Sequence, residues 1–449
     1  MSSAPAAPAD NLCPSCSAPV PVDPRFVTWC PACEWNVDPT ATVPVEVQAV
    51  PAETGARRRR AARREEARRA AVHVAAERLY AEVVGEARPR LRRDGSWFIA
   101  MALAGVIHLA AVALVAGSVW ALLAGPLMIR VLGAAGLVAA VVLRPRLGRF
   151  GRDEWSLSRA EAPRLYELAD RVAAEVGAPP VDLIRLTPDF GAVYEKVGLR
   201  QRSVLTFGLS MWEVLTSQER VGLLAHEFGH ALNGELRRGL WFYSAYLALY
   251  RCYKVTDSRG AATTDPDIFI EVGRMVLAPL LFVPNKIAEL VLILLGRHML
   301  RANQRAEYLA DDLAARIASS AAARSYLEVL ALQESLESLF YRQIAAYHRR
   351  HSFHTDSGEG HDFGLWQALR EYVASIPETE RLRLLRVSAL HMMSVDTTHP
   401  PTHLRIRLVD ARGHRETRIT LPEPEVAAIE AELGSVRARA ARAVLTFNH

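Results

Sequence analysis

Residues 97–143 constrain the fold more than any other stretch, because they are apolar with a single break. "WFIAMALAGVIHLAAVALVAG" and "PLMIRVLGAAGLVAAVVL" are each about long enough to cross a bilayer core as a helix. Their connection, "SVWALLAG", carries no charge. Arginines crowd the outer flanks instead: Arg88, Arg90, Arg92 and Arg93 before, then Arg144, Arg146, Arg149 and Arg152 after. The positive-inside rule places both ends of this 97–144 hairpin in the cytoplasm and its tip outside. Arg130, one turn inside the second span, can snorkel to the outer interface, and His108 reads as a tolerated neutral residue. No apolar h-region precedes residue 97, so no signal peptide is expected.

A hydrophobic content of 50% with 23% charged residues is ordinary for a globular chain, which makes the membrane signal local. The 449 residues allow about three domains. Only Lys196, Lys254 and Lys286 are lysines among 54 basic residues, a bias that suggests a GC-rich bacterial genome. Four of the five cysteines fall in "CPSCSAPVPVDPRFVTWCPAC", residues 13–33. Cys13, Cys16, Cys30 and Cys33 have the spacing of two knuckles that close a tetrahedral structural zinc site. Two disulfides are the alternative, and a cytoplasmic location argues against them. This zinc ribbon, residues 1–39, reads as an independent module whose loss leaves the rest working. Cys252 reads as a buried or interfacial thiol. Residues 40–96 are a Pro/Ala/Val linker and the basic helical run "RRRRAARREEARRAAVHVAAERLYAEVVGEARPRLRR". Without aromatic or motif support for nucleic-acid binding, that run reads as a solvated helix beside anionic lipid.

From residue 150 helical and strand patterns alternate. "SRAEAPRLYELADRVAAEVG" predicts an amphipathic helix closed by Gly177. "VDLIRLT" and "RSVLTFGL" predict strands flanking "DFGAVYEKVG". Residues 217–238 predict a helix with Ser217 as N-cap. Within it, "LLAHEFGHALNGELRR" places His226 and His230 four apart, hence on one face and one turn apart. Glu227 lies on the adjoining face, within reach of an attacking water. Two packed core histidines are the plain alternative. It weakens at "RAEYLADDLAA", residues 305–315, where Glu307 can supply a third metal ligand. Asp311, a turn later, can accept a ring N–H from a ligating histidine. "VDTTHPPTHLRIRL", residues 395–408, adds His399 in a proline-stiffened turn and Arg405 beyond it.

H-E-F-G-H, then E-Y-L-A-D, then T-H-P-P with R-I downstream resemble the M48 family of membrane zinc metallopeptidases over roughly residues 150–410. The resemblance implies His226, His230 and Glu307 as zinc ligands, Glu227 as general base, and Asp311 as the group that orients a ligand histidine. It places His399 and Arg405 near the active site, either one a candidate oxyanion donor. His399 could alternatively occupy zinc's fourth position. The chain departs from the family at Gly191-Ala192-Val193, where an Asn-Ala-Phe run is usual on the edge strand.

The fold class that follows is α+β: a mainly helical zincin-type domain with a small sheet over 150–420, and a C-terminal helix over 421–449. The ribbon and the transmembrane hairpin precede it. HtpX-type relatives carry a second hairpin. Here residues 240–250 are a short apolar run, and 275–295 is interrupted by Pro279, Pro284, Asn285, Lys286 and Glu289. Zero further crossings are therefore expected, with membrane-lying or core helices instead. The loop 348–364, with His351, His354 and His361, reads as a solvated border of the cleft, a second metal site being the alternative.

The expected function is a zinc endopeptidase at the cytoplasmic face of a bacterial inner membrane, cleaving membrane or misfolded proteins. Two zinc ions are expected, one catalytic and one structural. The partners are polypeptide substrates and membrane lipid, with no nucleic acid; the sequence sets no oligomeric state. The rivals are a catalytically silent adaptor whose ribbon binds a protein, and a prenyl-protein processing enzyme, which would need more spans.

Overall fold

The computed structural model describes residues 11–39, 55–86, 95–144, 150–232, 235–257, 268–351, 364–391 and 399–446. The 40–54 linker, the arginines at 88–93 and 146–149, and His354 and His361 lie outside the described residues.

The ribbon is held by turns and one isolated bridge, Leu12 to Pro19, rather than by regular elements. Helix α1 (Gly55–Gly85) follows, then α2 (Gly95–Ala124) and α3 (Leu127–Leu143). Among the described residues one helix, Gly95–Ala124, is long and apolar enough to cross a membrane; Leu127–Leu143 is apolar but shorter.

A four-stranded sheet comes next, of β1 (Ser156–Leu157), β2 (Leu183–Thr187), β3 (Ala192–Val197) and β4 (Arg202–Gly208), in the order β1-β2-β4-β3. Strands β2 and β4 run parallel, and β3 pairs antiparallel with β4, Tyr194 opposite Leu205, so β3 is an edge. Helix α4 (Pro163–Val176) packs between β1 and β2 in chain order and ends as expected, with Gly177 in the left-handed region at φ 85°. Helices α5 (Leu209–Val214) and α6 (Ser217–Leu232) lead from the sheet into the core.

Helix α6 starts on a reciprocal cap. Thr216 N–H donates to Glu219 Oε2 at 2.7 Å, and Glu219 N–H donates to Thr216 Oγ1 at 3.4 Å. The cap is therefore Thr216, not Ser217, because the carboxylate three residues on selects it. The described part of the helix runs to Leu232, and residues 235–238, which the sequence assigns to the same helix, are helical as well.

Helix α7 (Glu235–Thr256) and the 50-residue α8 (Ile268–Ile317) pack against each other and against α2, and α3 packs on α2 and α7. As expected, this stretch is helical, and α8 continues through Pro279 and Pro284 although they interrupt its apolar run. Its polar residues are satisfied rather than disruptive. Asn285 donates to Tyr253 O at 3.0 Å and Thr256 Oγ1 at 3.1 Å, tying α8 to the last turn of α7. Lys286 pairs with Glu289 on its own helix at 2.5 Å. His108 also has partners: its Nε2 lies 2.9 Å from Trp241 O, and its ring packs on Trp241.

Helices α9 (Ser320–Leu330), α10 (Gln333–His351), α11 (Leu365–Ser375), α12 (Glu378–His391) and α13 (Thr402–Ala411) complete the domain. The expected single C-terminal helix is two, α14 (Glu423–Glu432) and α15 (Gly434–Leu445), with the chain turning at Leu433. Helix α1 is solvated only in part. Arg60, Arg63 and Arg64 are exposed, but Leu79 and Val83 bury against Tyr308, Leu404 and Leu408. Glu77 pairs with Arg407 at 2.9 Å and Glu82 with Arg301 at 2.6 Å, which fixes that end to α13 and α8. Helices make up 70% of the structure, in keeping with the mainly helical expectation.

Candidate metal centre

The site forms where α6 crosses α8, and a glycine sets how closely they approach. A Cβ at Gly229 would lie 3.0 Å from Ala310 Cα and 3.1 Å from its Cβ, so only a bare backbone fits between the two histidines of H-E-F-G-H. This brings His226 and His230 against Glu307. His226 Nε2 is 3.2 Å from His230 Nε2 and 3.4 Å from Glu307 Oε2, and His230 Nε2 is 3.4 Å from Glu307 Oε1. The three donors lie within 4.8 Å of one another.

A tetrahedral cation with Zn–N and Zn–O bonds of about 2.0–2.1 Å needs neighbouring donors about 3.3 Å apart, which is the spacing here. Two further observations fit a cation. Asp311 Oδ1 lies 3.1 Å from His226 Nδ1, so its charge faces that ring nitrogen while Nε2 faces the cluster. Among the described residues, no donor completes a hydrogen bond to the buried Oε2 of Glu307.

Arg405 lies beneath the cluster rather than in the cleft. It is 1% exposed and makes a bidentate pair with Asp311, Nε to Oδ2 at 2.8 Å and Nη2 to Oδ1 at 2.7 Å. Its Nη2 is also 3.5 Å from Glu307 Oε2. This corrects the expectation of Arg405 as an oxyanion donor: both faces of the guanidinium that could donate are turned to buried carboxylates. Burial alone would raise the Asp311 and Glu307 carboxyls. The facing charges outweigh it, Arg405 for Asp311 and His230 first for Glu307, and hold both below the usual carboxylate range. Burial likewise opposes a charged His226, but the facing carboxylates of Asp311 and Glu307 raise it above the ordinary histidine value.

Glu227 is buried and accepts a hydrogen bond from the Tyr194 amide at 3.0 Å, on the free side of edge strand β3. The resemblance implies an edge strand within "DFGAVYEKVG" but not this contact, because a backbone donor leaves no side-chain signature. His399 is partly exposed, and its Nε2 is 3.3 Å from Glu307 Oε1. It thus borders the cluster on the open side. Tyr326 of α9, buried with its ring 6.1 Å from His226, was not singled out by any sequence pattern.

The ribbon presents a second cluster. Cys13 Sγ to Cys33 Sγ and Cys16 Sγ to Cys30 Sγ are both 3.6 Å, and the four sulfurs lie within 4.8 Å of one another. Zn–S bonds of about 2.3 Å in a tetrahedron require sulfurs about 3.8 Å apart, whereas a disulfide needs about 2.0 Å. The thiols therefore fit a zinc ion and not two disulfides. Burial pushes the Cys30 thiol up, but the amides of Cys33 and Ala32 and the neighbouring thiols bring it down to about 7. Cys16, despite the Ala18 amide, is pushed up to about 12 by the thiols around it, so these two thiols lose their protons in sequence rather than together.

Residues 160–413, more than half of the chain, match the family model described as peptidase family M48. No curated protein and no solved structure matches the chain.

Proposed function

The chain belongs to peptidase family M48, a metallopeptidase family, and from that premise we propose a zinc-dependent endopeptidase acting on membrane or misfolded polypeptides at the cytoplasmic face of a bacterial inner membrane. The observation that carries this reading is the buried His226–His230–Glu307 cluster with Glu227 beside it on the edge strand. His226, His230 and Glu307 would hold the zinc. When bound, that ion supplies Lewis-acid polarisation of the scissile carbonyl and the attacking water.

The protein's own groups do the rest. Glu227 takes the water's proton and returns it to the leaving amine. The Tyr194 amide keeps its carboxylate beside β3, where a substrate strand adds by main-chain pairing. His399, on the open side, donates to the developing oxyanion. Asp311, held by Arg405, keeps His226 in its ligating tautomer.

The membrane placement is supported by an apolar belt. Leu123, Leu127, Met128 and Val138 of α2 and α3, with Phe282, Ile287 and Leu290 of α8, are exposed. Helix α8 leaves that layer and carries Glu307 about 20 Å beyond Ile293 at 1.5 Å per residue, so the centre stands just off the lipid surface.

The reading is tested by zinc content and casein cleavage of the purified chain. Glu227→Gln should keep its zinc and lose about 10²–10⁴-fold in turnover. His399→Ala should lose about 10²–10³-fold. Unchanged turnover in Glu227→Gln would sink the mechanism. For topology, a cysteine placed at Trp120 should label from outside intact cells, and one near residue 60 should not; the reverse pattern would invert the orientation.

A further inference from the structure

The ribbon lies along α12 and the end of α11, with Phe26 against the main core. The Arg25 guanidinium donates to Ser375 Oγ and O, both at 3.1 Å, where α11 ends. Trp29, 2% exposed, donates its indole N–H to Thr379 O in the first turn of α12 at 3.2 Å. Arg383 donates to Val37 O at 3.0 Å, Arg386 faces Glu34 at 3.5 Å, and His391, the last residue of α12, meets Asp38 at 2.6 Å. These contacts run the whole length of α12.

Among the described residues, α12 is otherwise held by its packing on α13 and by Arg381, which donates to Val373 O at 2.8 Å. It buries only Glu380 and Ser388 fully, rests Leu384 and Leu385 partly against the core, and leaves Leu390 55% exposed. On another flank is a cavity of about 450 Å³, bordered by Glu334, Ser338, Val387 and Thr402. A helix with few buried apolar contacts and a void beside it sits at the low-stability end of a fold. Yet α12 packs directly on α13, which carries Arg405 and through it Asp311 and His226. The ribbon, in turn, has a core of only Cys13, Val20 and Cys30, too small to fold without a metal across its four thiols.

We propose that the ribbon is an intramolecular brace: with its metal bound it clamps α12 against α13 and keeps Arg405 in register under Asp311 and His226, and without that metal the peptidase centre loosens. Trp29 and Asp38 are then positioning residues, not catalytic ones. This rests on the peptidase reading above and departs from the expectation of an independent ribbon.

The test uses the full chain in detergent, read by amide exchange of residues 378–391, zinc affinity of the His226 centre, and kcat and KM for casein. Cys13→Ser with Cys16→Ser should remove one zinc of two. It should speed α12 exchange about tenfold or more, since several hydrogen bonds are lost together. It should also weaken zinc at the His226 centre about tenfold, and lower kcat with KM little changed. Arg383→Ala with His391→Ala keeps all four cysteines; it should retain both zinc ions and reproduce the faster exchange and lower kcat. Slow α12 exchange after the ribbon is emptied overturns the brace. So does a loosened α12 with unchanged zinc affinity and kcat. A wild-type chain that cleaves nothing refutes the peptidase reading instead, and exchange with zinc affinity still decides the brace.

Discussion

The ribbon and the peptidase centre bring their donors to nearly the same spacing by opposite routes. In the ribbon, thiols 3.6 Å apart come from residues 13–33, around a core of three buried side chains. In the peptidase centre, donors 3.2–3.4 Å apart come from α6 and α8, inside the main hydrophobic core, with two buried carboxylates balanced by Arg405. The first arrangement relies on its metal to have a shape. The second has its shape without metal, since Gly229, Asp311 and Arg405 already fix where His226 and Glu307 stand. Removing its own metal should therefore unfold the ribbon, whereas removing the peptidase centre's own metal should silence that centre without unfolding it.

The largest effect that would break this comparison is at Arg405. Arg405→Ala leaves the Asp311 charge buried and unpaired, which costs about 3–5 kcal/mol for such sites. Denaturant unfolding of the core should record that loss, whereas emptying the ribbon should leave the core transition cooperative. A core midpoint unmoved in Arg405→Ala would mean that the centre is not held by its fold.

A smaller effect should separate the two clusters by affinity. Asp311→Asn removes the negative charge that faces His226 and should weaken zinc there about 10–100-fold, with the ribbon's zinc untouched. Chelator competition read per site checks it; equal weakening at both sites would contradict independent ligand sets.

The smallest effect is a pH dependence where α1 packs on α13. Burial is the main cause that lowers His403 to about 4, with Arg407 and His73 adding to it and Glu77 opposing. Its folded-state value lies below the ordinary value of about 6.5. Stability is thus complete above pH 6.5 and falls as pH drops towards 4, because the unfolded chain takes up a proton the folded chain refuses. His403→Gln should flatten the fall between pH 7 and 5 in urea midpoints. The ribbon's acid loss of zinc, which arises from thiolate protonation, should persist. A fall of the same slope in His403→Gln would assign it elsewhere.

Much of the centre is legible without coordinates. An i, i+4 histidine pair faces one way on any helix, and two C-x-x-C knuckles bring four thiols together wherever they occur. Gly177 closes α4 as its left-handed conformation requires. Prolines 279 and 284 rightly mark a broken apolar run, but a run read residue by residue cannot show that Asn285 and the Lys286–Glu289 pair are satisfied within α7 and α8. Arg405 misleads for a related reason. Its place in the sequence signals closeness to the site, but not which side of the metal it occupies.

What the sequence by itself determined is local and periodic: the ligand pairs, the apolar helices, the strands around β3 and the thiol spacing, all set by neighbours within a few turns. The tertiary structure decided the rest. It set Arg405 under Asp311, the Tyr194 amide on Glu227, α1 over Tyr308, and Trp29 and Asp38 on α12. Each of these joins groups tens to hundreds of residues apart. Such contacts depend on how whole elements pack, and no short stretch of chain carries that information.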